Sequence, residues 1–452
     1  MSRKRVLSAI SALILVTGGA RQAAAQRAGA AAPADTLHLA ALLADALRND
    51  PRAGQLALQA RATSLRLRSI DVERLPSLTS VGQAQYASRV ITIPIRIPGA
   101  TLPQPLKDTY DAHVEAIEPL LDPTRAPRRA LEHAQLTENQ AGVRVSVFGL
   151  RGEVLDAFFA AASDQQRAAS IDATIIDLEA RLADERKLFH AGAALPGDTA
   201  TIAATLLQRR QDAVQVRADE HAALSRLEEL VGHDLPASAV LALPEEGLAA
   251  AADSARAALD TGDGPHARPE FAQFAATRLR LSAQEAEVDA GRRPQLSAFV
   301  HGGIGRPGLN PFSQAFQGYW TAGVQFHWSP WNWGTYDRDR EELAVQREIV
   351  ATNERAFDQS LRRAVQGDLA TIDRLGATLA LDDSIVALRE IALREARAQL
   401  AEGAITASAY LDRTTDLLAA RLTRTEHRVT LAQARVHVLN TLGLELPTLP
   451  SR

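Results

Sequence analysis

Two stretches of more than sixty residues, about 127–190 and 337–402, run without a proline after Pro127 and are rich in Ala, Leu, Arg, Glu and Gln. Those residues are good helix formers. A helix of ~64 residues is a rod of ~95 Å at 1.5 Å per residue, and a rod that long needs partners along its apolar stripe. The sequence offers them. Pro51 to Leu75 and about Gly197 to Val231 are helical in pattern and together nearly match the first rod, and two segments of the second half match the second. Two shorter helices placed end to end beside one long helix predict a coiled-coil arrangement with close-packed, Ala-rich seams. An ordinary helical bundle is the other reading of the helical pattern alone, although compact domains do not usually grow single helices of this length.

The same punctuation occurs twice. Pro51 to Pro76 is 25 residues, and so is Pro269 to Pro294, an offset of 218 between the halves. Downstream, Pro119 and Pro330, Gly192 and Gly403, Gly232 and Gly443, and Pro236 and Pro447 are each 211 apart. The fall from 218 to 211 lies between Pro76 and Pro119, where the first half carries seven extra residues. A length change inside a connection, with the helical parts in step, is what a tandem duplication leaves. The expected plan is a first repeat over 36–245, a linker and short helix over 246–267, a second repeat over 268–447 and a short tail at 448–452. Thr36 to Arg48 reads as a short amphipathic helix, broken by Asn49-Asp50-Pro51.

Each repeat also carries an extended pair. In the second, Gln295 to Gly303 and Tyr319 to Trp328 flank a Gly/Pro-rich loop, and the stretch YWTAGVQFHWSPWNWG from Tyr319 to Gly334 holds all four tryptophans of the chain. Trp320, Ala322, Val324, Phe326 and Trp328 alternate with Thr321, Gly323, Gln325 and His327, so a strand puts the two sets on opposite faces. An apolar face ending in Trp is the pattern of a transmembrane β-barrel strand. A soluble edge strand beside an aromatic cluster is the other reading of this segment taken alone. In the first repeat Ser77 to Ser88 and Tyr110 to Glu118 flank a proline-rich loop, giving hairpins at about 77–118 and 295–328. Tyr110, Ala112, Val114 and Ala116 oppose Asp111, His113 and Glu115. Counted from Pro119, that alternation is one residue out of step with its counterpart, as a bulge or a misplaced gap would make it.

Composition narrows the partners. There is no Cys, which excludes disulfides, thiolate metal sites and lipidation at a cysteine. The 50 basic and 54 acidic residues are interspersed and sum to −4, which gives no basis for a nucleic-acid partner. Ser2 to Arg5 is a basic n-region, Val6 to Val16 an apolar h-region and Ala23-Ala24-Ala25 a small-residue cleavage site. They predict a secretory signal peptide over 1–25 and a linker over 26–35; an uncleaved anchor helix is the alternative, with an apolar run short for a bilayer. No other apolar run approaches that length, so an exported chain of this kind enters a membrane only as β-structure. Four strands do not close a barrel, and open edges in lipid leave backbone groups unpaired, so oligomerisation is expected.

The order helix, hairpin, long helix, helix, duplicated after a signal peptide, resembles the TolC-like outer-membrane efflux protein family, the outer membrane factors, over nearly the whole mature chain. NDPRAGQLALQARATSLRLRSIDVERLPSL and ARPEFAQFAATRLRLSAQEAEVDAGRRPQL both end in the family's Pro-x-Leu strand start. FHWSPWNWGTYDRDREEL is similar to its return from strand to long helix, and EGAITASAYLDRTTDLLAARL to its second helix-turn-helix tip. The resemblance implies a mainly α fold with a small β part, in which a duplicated helix–β-hairpin–long-helix–helix repeat forms a periplasm-spanning coiled-coil tunnel. That tunnel joins a trimeric 12-stranded transmembrane β-barrel, four strands per chain. It implies a passive channel in the outer membrane of a Gram-negative-type cell, embedded in outer-membrane lipid. Such a homotrimer is the exit duct of a tripartite efflux system, with a periplasmic adaptor (membrane fusion) protein and an inner-membrane pump as partners and no cofactor or enzymatic activity. The exit duct of a type I protein-secretion system is the alternative within the family, and a secreted coiled-coil structural protein the alternative outside it.

Gly192 and Gly403 mark hairpin tips at about 190–197 and 402–407, where glycine supplies a left-handed turn. The resemblance makes these tips the adaptor contact. It also makes Asp198 and Asp412 periplasmic gate candidates, since carboxylate rings at a constriction favour cations. Asp198 suits a first helical turn in any case, and Ala409 stands where the family often has another acid. Tyr319, Trp320, Trp328, Trp331 and Trp333 are expected to form an aromatic girdle at the membrane interface, with Gln325 and His327 facing the lumen. Other signals carry no chemistry. Gly303-Ile304-Gly305-Arg306-Pro307-Gly308 fits G-x-G-x-x-G, but Pro307 and Pro311 prevent the helix a dinucleotide site requires, so it reads as an outward-facing loop. The eleven histidines show no HExxH spacing, no G-x-S-x-G occurs, and Tyr336 to Glu342 reads as a solvated first turn with i,i+4 charge pairs.

Overall fold

The computed structural model describes residues 36–91, 105–192, 195–236, 238–244, 248–260 and 267–445. The expected signal peptide, the 26–35 linker, the 448–452 tail, tip residues 193–194 and most of the first hairpin loop lie outside the described residues. The chain runs β1 (Thr36–His38), α1 (Leu39–Asn49), a short 3-10 turn (Pro51–Gly54), α2 (Gln55–Val72), β2 (Ser77–Tyr86), β3 (Asp108–Leu121), α3 (Arg125–His190) and α4 (Pro196–Val231). It continues through β4 (Val240–Ala242), α5 (Leu248–Asp260), α6 (Pro269–Gly291), β5 (Gln295–Arg306), β6 (Gln317–His327), α7 (Thr335–Ala401) and α8 (Ala407–Leu442). Helix, hairpin, long helix, helix therefore occurs twice.

The long helices have 66 and 67 residues, about 100 Å each at 1.5 Å per residue. Each starts two residues before the position expected from sequence. Four glycines close the helices in the same way. Gly192 and Gly403 follow α3 and α7 at φ 75° and 73°, and Gly232 and Gly443 cap α4 and α8 at 81° and 74°. The pairs spaced 211 apart thus perform the same backbone task, the left-handed residue that ends a helix without a Cβ clash.

Towards the tips, α4 lies along α3 and α8 along α7; towards the sheet, α2 lies against α3, and α6 lies between α3 and α7. Arg280 of α6 pairs with Glu138 of α3, while Arg278 pairs with Glu354 and Phe271 and Phe274 meet Phe357 of α7. The main core gathers Phe158, Phe159, Leu227, Val365, Val436 and Leu439, with Ala157, Ala161 and Ala162 letting the backbones approach. A second core, with Leu178, Leu182, Ile202, Leu206, Tyr410 and Leu411, lies near the tips. One element departs from expectation: Thr36 to His38 is a strand, not the start of α1, and pairs in parallel with β4 (Thr36 with Val240, His38 with Ala242). A three-residue strand whose partner is some 200 residues away leaves no local periodicity to read.

The hairpins join in one antiparallel sheet, ordered β2-β3-β5-β6. The register accounts for the one-residue discrepancy between halves. Ser77 pairs with Ile117 and Gln295 with His327, so the offset is 295 − 77 = 218 in the first strands and 327 − 117 = 210 in the second. Val114 therefore corresponds to Val324 and Tyr110 to Trp320, and the alternations agree. The extra residue lies in the second half, between His327 and Pro330 beyond the end of β6, so the discrepancy is a misplaced gap; the register shift between Pro119 and Leu121 is a separate irregularity of β3. Strand β5 runs on through Gly303 to Arg306, so the first four residues of the G-x-G-x-x-G match are sheet and not loop.

Candidate functional site

The sheet is inverted relative to a soluble one. Residues paired across it share a face, and Leu78, Tyr110, Val114, Val300, Ile304, Trp320, Val324 and Phe326 all fall on the same one. That face is open: Leu78 is 76%, Trp320 73% and Val324 63% exposed. The opposite face carries Gln83, Asp111, His113, Glu115, His301, Tyr319 and Thr321, and on β3 and from Tyr319 to Gly323 of β6 its residues are the less exposed set. Gln325 and His327 lie on this polar face by alternation; Gln325 pairs with Ser297 and His327 with Gln295.

All four tryptophans are exposed. Trp320 sits near the loop end of β6, while Trp328, Trp331 and Trp333 occupy the turn into α7, where Trp331 and Trp333 meet edge to face at 5.9 Å. The Trp328 Nε1 donates to the Arg292 carbonyl at 3.0 Å, tying that turn to the end of α6. Tyr319 does not join them. Its position in the alternation turns it to the polar face, where its hydroxyl donates to Asp111. The expected i,i+4 pairing at the start of α7 is also replaced: Asp337 pairs with Arg292, and Arg340 reaches Glu285 and Asp289, so these charges fasten α7 to α6.

At the other end Gly192 and Gly403 are exposed at the tips. Asp198 lies in the first turn of α4 and Asp412 on the exposed side of α8 in its second turn. Among the described residues neither carboxylate forms an ion pair. The acid engaged there is Asp177 of α3, which sequence alone did not single out. It accepts the Tyr410 hydroxyl at 2.9 Å and pairs with Arg397 of α7. Burial pushes the Tyr410 phenol above its ordinary range, so it remains a proton donor. Among the described residues no group of three or more His, Asp or Glu fits a metal ion, and no helix is long and apolar enough to cross a membrane.

No protein-family model and no curated protein sequence matches the chain. Solved structures do. A crystal structure of CusC, from work on its folding and transmembrane channel formation, matches at TM-score 0.65 and 16% identity over 90% of this chain and 92% of that one. VceC, an outer membrane protein of Vibrio cholerae, matches at 0.63 and 11% over 90% and 96%. The open state of the Neisseria gonorrhoeae MtrE outer membrane channel matches at 0.61 and 15% over 90% and 89%. The chain has the fold of these three proteins, the fold that its resemblance to the TolC-like family implies.

Proposed function

We propose that this chain is one protomer of a trimeric outer-membrane channel, the passive exit duct of a tripartite system that carries small molecules out of the cell. The observation that carries the reading is the inverted sheet: an exposed apolar face, a polar face behind it, and two open edges, β2 and β6. Lipid tolerates an apolar face but not unpaired edge N–H and C=O groups, which cost several kcal/mol each. Pairing β6 of one copy with β2 of the next removes both edges, and three copies make a barrel of twelve strands, within the range of closed outer-membrane barrels. The eight steps from Trp320 to Trp328 span ~27 Å at ~3.4 Å per residue, which matches an apolar band flanked by aromatic girdles.

The repeats, 36–245 and 268–447, each supply one hairpin and, to the tunnel below, one long helix with two shorter helices along it. Exposed apolar residues at helical spacing support neighbouring copies there: Leu58, Leu65 and Val72 on α2, Leu207 and Val214 on α4, and Leu381, Ile385 and Leu388 on α7. The tips at Gly192 and Gly403 offer the adaptor contact, Asp198 and Asp412 the gate carboxylates, and Tyr410 with Asp177 a latch that holds the tip helices together. The inner-membrane pump supplies the energy. Light scattering of the detergent-extracted protein, corrected for detergent, tests the assembly. About three protomers per particle with single-channel conductance would support it, and a monomer soluble without detergent would sink it.

A further inference from the structure

The pairing of β3 with β5 gathers groups that neither hairpin holds alone. Three rows cross the polar face: Gln83–Asp111–Gly305–Gln317, Val81–His113–Gly303–Tyr319 and Thr79–Glu115–His301–Thr321. The His113 and His301 rings lie 5.3 Å apart, His301 stacks on Phe299 at 6.0 Å, and Tyr319 stands edge-on to His301 at 6.1 Å. His113 Nδ1 contacts Asp111 and lies 3.5 Å from the Tyr319 hydroxyl. Glu115 is the direct cross-strand partner of His301. A Cβ on Gly303 would stand 2.5 Å from His113 Cβ, so glycine leaves room for the histidine.

From this placement we infer that His113 and His301 form a selectivity belt in the barrel lumen, one that sets the cation-to-anion preference of the channel through their protonation. The inference rests on the proposed channel. Beside the histidines the described polar face holds two carboxylates, Asp111 and Glu115, and two further titratable groups, Tyr319 and His327; β2 contributes none. Asp108, Arg306 and Lys107 stand at the loop rim, with Arg306 and Asp108 paired at 3.4 Å. His327 lies apart, at the helix end of β6, beside a cavity it shares with Asp122, Arg128, Glu287 and Asp339. With neutral imidazoles the belt carries two negative charges per protomer; with both protonated, the two positive charges cancel them. Imidazole changes charge between about pH 5 and 8, and a ring of like charges in a pore favours the opposite ion. The belt therefore favours cations at pH 8 and loses that preference at pH 5.

The test is the reversal potential of the purified protein in planar bilayers under a KCl gradient, measured from pH 8 to pH 5, which does not depend on how many channels insert. Wild type should show a several-fold fall in cation-to-anion permeability ratio. The H113Q/H301Q double variant should keep its cation preference throughout, and H301Q alone, which leaves the Asp111–His113–Tyr319 contacts in place, should lose about half of the pH response. A conducting wild type with no pH response, or either variant titrating as wild type does, overturns the belt while the channel stands. Wild-type protein that conducts at no pH overturns the channel reading and the belt with it.

Discussion

The Tyr410 hydroxyl donates to Oδ2 of Asp177 at 2.9 Å, joining the first turn of α8 to α3 across 233 residues of sequence. The same carboxylate pairs with Arg397 of α7, so one side chain ties three helices near the tips. The Arg181 guanidinium lies over the Tyr410 ring at 5.7 Å. Tyr410→Phe keeps the buried ring and removes one hydrogen bond, a loss of about 1–2 kcal/mol. At the end of a long helical pair that loss appears as local opening rather than global unfolding. Hydrogen exchange over 396–411 should quicken by roughly 5- to 30-fold, the equivalent of that energy. Asp177→Asn, which also breaks the ion pair, should exceed it, and the resting conductance should rise in both. Unchanged exchange in Y410F would show that the hydroxyl is no latch.

Gly303 is required by a close approach. A Cβ there would stand 2.2 Å from the Ala112 carbonyl oxygen and 2.5 Å from His113 Cα, both backbone atoms, whereas a Cβ on Gly82 in the same sheet meets nothing within 4 Å. Gly303→Ala should force β3 and β5 apart at a cost of about 1–3 kcal/mol, and Gly82→Ala should be nearly neutral. All four tryptophans lie in β6 or the turn after it, so the urea midpoint of tryptophan fluorescence in detergent reads this sheet. Equal midpoints would refute the steric account.

The parts of this fold legible in sequence are those written locally. Proline and glycine punctuate both repeats, and a proline-free run rich in helix formers fixes the rods. Alternation from Trp320 to Phe326 sets the two faces of β6. What stayed hidden depends on pairing between distant segments. The β1–β4 ladder is too short to have a period, and the ends of β3 and β5 are set by main-chain partners that no side-chain pattern records. Tyr319 adjoins Trp320 in sequence and so reads as part of the aromatic girdle, although alternation alone turns it to the other face. Asp177 with Tyr410, and His113 with His301, come together only through α3–α8 packing and β3–β5 register, and single-sequence periodicity carries neither.

Val324 and Thr321 lie on opposite faces of β6, three residues apart. If the apolar face meets lipid, Val324→Lys places a charge near the middle of the apolar band, at a cost of about 2–4 kcal/mol. Thr321→Lys places the same charge on the polar face, where water solvates it. Detergent extraction followed by light scattering should give trimers for T321K and few or none for V324K. The reverse result would mean that the sheet packs with its apolar face inward.

His437 of α8 pairs with Asp368 of α7, Nδ1 to Oδ2 at 2.9 Å, and the Thr441 hydroxyl shares the carboxylate at 3.2 Å. The Asp368 hydrogen bond and charge, with Asp156 adding to them, raise the imidazole pKa above its ordinary value. A raised folded-state pKa means that folding favours the protonated form. The stabilisation is complete below the unfolded value of about 6.5 and is lost as pH rises through the higher folded value. The pair is half open to solvent, so the effect is small and screened by salt. Helix melting followed by far-ultraviolet circular dichroism should show wild type exceeding His437→Gln by more at pH 6 than at pH 8.5, with the difference shrinking in high salt. Ten residues earlier in α8, His427 contacts Asp382, so the same comparison is repeated as H427Q against H427Q/H437Q, where His437 is the one imidazole left on the α7–α8 seam. A gap between the two proteins that does not change with pH would assign His437 a packing role and remove the charge from the account.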